Sequence, residues 1–187
     1  MCIRDRGYLA GHESIAETVA DPVFASFVKR LWREEIIPSF TPAEGVNIEA
    51  YADALYERYS NPAIRHRTWQ IAMDGSQKLP QRILATIADN LAAGRKCPGL
   101  MLAVAGWMRY VSGLDENGQP IDVKDPLAQR LRELSDAADT PEQKVAALLA
   151  VREVFSAGLA ADLSAPVAEA YISICELGAR KAVGEIS

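Results

Sequence analysis

The sequence is poor in cysteine, histidine and closely spaced glycine, and each scarcity excludes a class of chemistry. Its three cysteines, Cys2, Cys97 and Cys175, are odd in number and widely spaced, with no CxxC. That pattern fits neither a disulfide framework nor a zinc site, and it points to a reducing compartment, hence a cytoplasmic protein. The two histidines, His12 and His66, lie far apart and no HExxH occurs, so no metal is expected. GxSxG is missing too. The twelve glycines never fall two apart, so the chain has no GxGxxG cradle for a dinucleotide. No apolar run reaches membrane-spanning length and no apolar signal core opens the chain, which argues against a membrane partner and against secretion. The net charge is -5 and the cations are dispersed, so no basic face invites nucleic acid.

What remains is an ordinary globular composition. Of the 187 residues, 49% are hydrophobic and 24% charged, enough for one domain with a buried core. Strand alternation is nearly absent and helical spacing recurs throughout, so the expectation is an all-α domain of eight or nine helices. Segment 8–20 carries Tyr8, Leu9, Ile15 and Val19 at helical intervals. Asp21–Pro22 reads as an N-cap with proline in the first turn, ahead of Phe24, Phe27, Val28, Leu31 and Trp32. Asn47 caps a helix expected to turn Ile48, Tyr51, Leu55 and Tyr59 inward. Asn61–Pro62 starts another, with Ile64, Thr68, Ile71 and Ala72 inside, and Pro80 marks a kink or restart in the next. Segment 99–112 is apolar on most sides, as a helix at a domain centre would be. A polar loop over 113–124 and helices near 125–137, 141–157 and 165–183 complete the chain. Thr140, Pro141 and Gln143 form a capping-box start.

Residues 1–6 (MCIRDR) are charged and differ in character from the apolar helical pattern that begins at Gly7. They read as a non-native leader, with a frayed native terminus as the alternative, and the domain proper as 7–187.

The densest polar cluster is 61–82, NPAIRHRTWQIAMDGSQKLPQR. It gathers Arg65, His66, Arg67, Gln70, Asp74, Ser76, Gln77, Lys78, Gln81 and Arg82 around a turn. Cations beside a turn suit a carboxylate or a polyhydroxylated ligand, with Asn, Gln and Ser giving directional hydrogen bonds. The plainer reading is a solvated helix–turn–helix edge in which Asp74 caps the following helix. Trp32, Trp69 and Trp107 read as core anchors, and Cys97 and Cys175 as buried small residues.

At this cluster the sequence resembles the long-chain mannitol dehydrogenase family, which includes fructuronate reductases. The resemblance also rests on GYLAGHE (7–13), ADPVFASFV (20–28) and AGWMRY (105–110), and covers essentially 7–184. It implies a helical substrate domain of the kind that ends 6-phosphogluconate dehydrogenases. That domain is normally joined to a Rossmann-type half that binds NAD or NADP. The family's catalytic motif, a lysine, four residues, an asparagine, two residues and a histidine, falls just before GYLAG, where the leader stands, so no catalytic residue is assigned in this chain. Lys78, in DGSQK, matches the family lysine that holds substrate oxygens, a role suited to an ammonium with three donors. Mannitol-type members carry an arginine where Gln70 stands, and HRTWQ (66–70) resembles fructuronate reductases, which interconvert D-mannonate and D-fructuronate. Such a substrate carries a carboxylate, for which Arg65, Arg67 and Arg82 are the candidates. The resemblance thus implies part of an oxidoreductase acting on a sugar acid or polyol. The alternatives are a stand-alone helical interaction or dimerisation module and another helical dehydrogenase domain.

Overall fold

A computed structural model describes residues 3–186. Among the described residues there is no strand, only two isolated bridges, Ser14 with Arg67 and Leu114 with Pro120. The all-α expectation therefore holds, and no helix among the described residues is long and apolar enough to cross a membrane.

The centre is α8 (Pro98–Val111), with all but two of its fourteen residues buried. Proline at its first position presets the helical start, and small residues along its length let neighbours approach closely. It is packed by α1 (Arg4–Leu9), α3 (Pro22–Leu31) and the long α11 (Ala157–Leu177), with α9 (Ala128–Asp136), α10 (Pro141–Leu149) and α12 (Ala179–Glu185) closing one side. Phe24, Phe27 and Leu31 of α3 are fully buried, as are Trp107 of α8 and Phe155 just before α11. At about 25 cal/mol per Å² of apolar surface, side chains of this size each contribute about 1.5–3 kcal/mol when removed from water.

The N-terminus of α8 is closed by a carboxylate from another element. After α3 the chain makes a π-helical turn, Trp32–Ile36, which carries Glu35 inward to 1% exposure. Glu35 Oε1 accepts from Gly99 N at 2.9 Å and Oε2 from Leu100 N at 2.8 Å, satisfying N–H groups that a first helical turn leaves open. Asn90 of α7 (Ala85–Ala92) donates to the Glu35 carbonyl at 2.8 Å. Burial pushes the Glu35 carboxyl above the usual carboxylate range, although the two N–H donors oppose it.

Several caps fall where the sequence puts them. Asp21 accepts from Val23 N at 3.0 Å, Asn47 from Ala50 N, and Thr140 with Gln143 makes a reciprocal capping box. Other expectations are corrected. Segment 8–20 is two helices, because Gly11 at φ +86° ends α1 and Ser14 with Glu17 forms a capping box for α2 (Ile15–Ala20). Helix α4 (Ile48–Ser60) buries no residue. It lies at the rim against α2, touching the core through Tyr56 and Tyr59 while Tyr51 is 59% exposed. Residues 61–67 are not helical, and only the short α5 (Thr68–Ile71) follows. Helix α11 begins eight residues before the expected 165 and runs through Pro166. Its apolar stripe Leu163, Val167, Tyr171 and Ile174 spans the proline, and that burial outweighs the lost backbone bond. Cys97 is buried as expected, whereas Cys175 is exposed.

Of the six residues read as a leader, Met1 and Cys2 lie outside the described residues, while Ile3, Arg4, Asp5 and Arg6 are all buried. Arg4 Nη1 donates to the Ile71 carbonyl at 2.8 Å and its Nε lies 3.2 Å from Asp5 Oδ1. The Arg6 guanidinium sits 4.4 Å above the Phe27 ring. Desolvating ion pairs inside an apolar core costs several kcal/mol per charge, and well-packed apolar replacements are often more stable. The double change Arg4→Met with Asp5→Leu is expected to stabilise the fold by about 1–4 kcal/mol. Urea unfolding measures this, and a lower midpoint would show that the pair is a net asset.

Asp21 also clamps the far end of the chain. Arg180 of α12 donates to it through Nε at 2.6 Å and Nη2 at 3.1 Å, and His12 Nε2 lies 3.4 Å away. The Arg180 hydrogen bond holds the Asp21 carboxyl below its usual range. A carboxyl with a lowered folded pKa contributes stability above the unfolded value near pH 4, and that share disappears as pH falls through the folded value. Asp21→Asn is therefore expected to lower Tm at pH 7, and the gap from the parent protein should narrow below about pH 4. A gap independent of pH would remove the ion pair from the account.

Candidate functional site

The polar cluster wraps the edge of the domain nearest α1 and α2. Residues 64–68 lie along the turn between those helices. Ile15 N donates to the His66 carbonyl at 3.0 Å, Thr68 N to the Glu13 carbonyl at 2.9 Å, and Thr68 Oγ1 to the His12 carbonyl at 2.8 Å. Helix α5 is then tied to the polar loop, with Trp69 Nε1 donating to the Asp122 carbonyl at 2.8 Å. Trp69 is half-buried, as is Trp32, whereas Trp107 is wholly inside.

The turn at Asp74–Ser76 is fixed by backbone geometry and by one close approach. Asp74 is the one non-glycine residue with positive φ among those described, at +56°, a region that aspartate tolerates better than most residues. Its N–H donates to the Lys124 carbonyl at 2.9 Å. A Cβ built on Gly75 would stand 2.4 Å from Trp107 Nε1, so only glycine lets the turn rest on the central helix. The cap expected from Asp74 comes instead from Asp125 of the polar loop. Asp125 accepts from Ser76 N at 2.7 Å and Ser76 Oγ at 2.6 Å, and its carboxylate also receives Leu127 N. From there α6 (Gly75–Leu79) runs into a second π-helical turn, Pro80–Leu84, and on into α7. The kink expected at Pro80 is this π turn, where Ala85 N reaches back to the Pro80 carbonyl.

The structure separates the four cations singled out from sequence. Lys78 folds back over its own turn, its Nζ donating to the Met73 carbonyl at 2.6 Å and lying 3.8 Å from Asp74 Oδ2. Arg65 and Arg67 line a cavity of about 580 Å³ that also holds Glu13 and Glu17. Arg67 reaches a second cavity with Tyr8, His12, Trp69 and Asp115. Arg82 lines a different cavity, of about 420 Å³, with Arg58, His66, Tyr59 and Ile71. Lys78 lines none of these three. Arg58 escaped sequence reasoning because it lies in the last turn of α4, outside the cluster, and no spacing rule brings it beside Arg82. His66 was visible in the cluster, but nothing in the sequence set it apart from its neighbours. Among the described residues no group of three or more His, Cys, Asp or Glu could hold a metal ion.

Among the described residues the chain is a helical domain without a sheet, with the lysine-bearing DGSQK turn seated on its central helix. The mannitol dehydrogenase C-terminal domain family matches residues 2–175, and the chain belongs to that family. It is 44% identical over 182 residues to the D-mannonate oxidoreductase of Escherichia coli (strain K12), covering 96% of this chain and 37% of that protein. Mannitol dehydrogenase 2 of Saccharomyces cerevisiae is 42% identical over 130 residues, which cover 67% of this chain and 25% of the yeast protein. The fold matches Pseudomonas fluorescens mannitol 2-dehydrogenase, solved as a ternary complex with NAD and D-mannitol, at a TM-score of 0.91. That match is 28% identical and spans 99% of this chain and 37% of that one. The chain thus corresponds to little more than a third of such proteins.

Because the turn depends on the contact between Gly75 and Trp107, Gly75→Ala is expected to cost about 1–3 kcal/mol through overpacking, lowering Tm by several degrees. Calorimetry tests this, and an unchanged Tm would place the turn off the indole.

Proposed function

We propose that the chain is the substrate-holding helical part of an NAD- or NADP-dependent oxidoreductase of secondary alcohols, acting on a sugar acid in the D-mannonate/D-fructuronate interconversion. The match to D-mannonate oxidoreductase along 96% of the chain carries the reading. Gln70, in the place where the resemblance sets an arginine in mannitol-type members, supports a sugar acid over mannitol itself. In this reading Lys78 gives up its contact with the Met73 carbonyl and directs its ammonium to substrate oxygens, while Asp74 keeps it near the turn. Arg65, Arg67 and Arg82 are the cations available to the substrate carboxylate.

The nicotinamide cofactor accepts or delivers the hydride when bound. The described residues contain neither a strand nor a glycine-rich strand-to-helix turn, so they do not fit a dinucleotide cradle, and a Rossmann-type domain joined to this one holds the cofactor. No side chain of this chain is assigned as the catalytic base. The substrate is a small molecule met in the cytoplasm, with neither a membrane nor a nucleic acid as partner.

The 187-residue chain alone is expected to show no NAD-dependent oxidation of D-mannonate. Joined to the preceding part of the E. coli D-mannonate oxidoreductase, it should oxidise D-mannonate faster than D-mannitol, D-arabinitol or D-altronate. Lys78→Ala in that hybrid should lower kcat/KM about tenfold or more, the scale of one charge-assisted hydrogen bond. Unchanged kinetics would remove Lys78 from the site, and turnover by the isolated chain would refute the division of labour.

A further inference from the structure

The cavity between α4, the 64–68 segment and the π-helical turn carries charge that nothing around it balances. Its lining includes Arg58, His66 and Arg82 and no carboxylate. None of the three forms an ion pair among the described residues, and Arg58 has only the face of Tyr59, at 6.0 Å, as a cation–π partner. This is unusual for the molecule as a whole, which has 25 acidic against 20 basic residues. The neighbouring cavity is the contrast. There Arg65 and Arg67 face Glu13 and Glu17, so a carboxylate entering it would meet two like charges.

Two guanidinium groups around one space repel each other, and an anion placed between them relieves that repulsion; the His66 imidazole beside them offers a further hydrogen-bonding group. Isoleucines 15, 64 and 71 and Tyr59 form the rest of the wall, while Arg58, His66 and Arg82 are exposed, so pairing made there depends on geometry and is open to screening by salt. A guanidinium presents two parallel N–H donors, which match the two oxygens of a carboxylate. Arg82 stands four residues beyond Lys78 on continuous helical backbone, the spacing of neighbours on one helix face, while the Lys78 ammonium is folded back onto the Met73 carbonyl. With Lys78 released from Met73, as the proposed function requires, a chain of carbons with hydroxyls at one point and a carboxylate at its end can reach from one cation toward the other.

We infer that Arg82, with Arg58 and His66, forms the carboxylate-binding end of the substrate site and selects an aldonate over the corresponding alditol. This rests on the oxidoreductase reading for the identity of the ligand, but the anion site itself belongs to this chain and is testable on it alone. His12 and His66 are its only histidines, so the imidazole Cε1–H region of a proton NMR spectrum holds two signals, assigned with His66→Asn. D-mannonate titrated at ionic strength fixed with chloride is expected to move the His66 signal saturably and to leave His12 in place. D-mannitol at the same concentration is expected to move neither. Arg82→Gln should weaken the D-mannonate response about tenfold and Arg82→Lys less, whereas the same change at Arg152, an exposed arginine beside a different cavity lined by Ala146 and Ala157, should leave it unchanged. Equal responses to D-mannonate and D-mannitol, no response to either, or a stronger response to inorganic phosphate than to D-mannonate would each overturn the proposal.

A second readout separates this idea from the one beneath it. In the hybrid enzyme, Arg82→Gln should raise KM for D-mannonate about tenfold or more while changing KM for D-mannitol less than about twofold, on the same charge-assisted scale. A hybrid that turns over D-mannonate with KM indifferent to Arg82 sinks the anion site and spares the oxidoreductase. A hybrid inactive on every sugar acid and polyol, beside a saturable His66 response, sinks the oxidoreductase and spares the anion site.

Discussion

The seat of Gly75 on the Trp107 indole governs the arrangement of the polar edge. Trp107 is fully buried in the central helix, so its position is set by the core and not by the loop that meets it. With a Cβ excluded at 2.4 Å, the backbone of the turn comes into direct contact with the ring. Asp74 must then enter at positive φ, and Ser76 must find its acceptor outside its own helix, in Asp125. These three conditions aim the helical backbone from Gly75 onward, and with it the side that carries Lys78 and Arg82. The helical run continues without a break from Gly75 through the π turn to Ala92, so the direction set at the turn is carried on into α7.

The part of this plan that was legible in the sequence is the part written in local chemistry. Asp21 with Pro22, Asn47, and Thr140 with Gln143 each announce a helix start because a short polar side chain reaches its own backbone two or three residues on. The all-round apolar character of 99–112 marked the centre for an equally direct reason, since such a segment has no side fit for water. Other features depend on partners that a linear reading does not supply. Helix α4 has apolar residues at helical spacing, yet it lies at the rim and buries none of them. The helix expected near 165–183 begins at Ala157 instead, because the apolar stripe on both sides of Pro166 makes that proline an interior position. At the site, DGSQK stood out through its resemblance to a family. Arg58 became visible only once α4 was folded against the neighbouring segment, 24 positions away from Arg82 along the chain.

Charge is distributed in this molecule with different logic in different places. Glu35 is buried and raised in pKa, and two backbone donors at the start of α8 offset its desolvation. Asp21 is held as an anion by a bidentate arginine from the other end of the chain. Arg4 and Asp5 are paired inside the core, where the desolvation of both charges works against their attraction. The guanidiniums of Arg58 and Arg82, by contrast, face a space and have no carboxylate. The first three have their partners within the fold, and in the anion site proposed above the last would find its partner in a ligand.

Both π-helical turns sit where a side chain of consequence leaves its helix: Trp32–Ile36 delivers Glu35, and Pro80–Leu84 carries Arg82. A π turn is an α-helix that has taken in one surplus residue, and its wider circuit absorbs the roughly 100° that the residue would otherwise add. Ile87 and Asn90 downstream therefore stay buried while Gly75 upstream keeps its seat on Trp107. Excising a single residue between 80 and 84 would let the helix close up in regular phase with both ends still in register. The gene can lose a codon in this short stretch, whereas a codon lost elsewhere in the same helix would turn one end of it away from its partner.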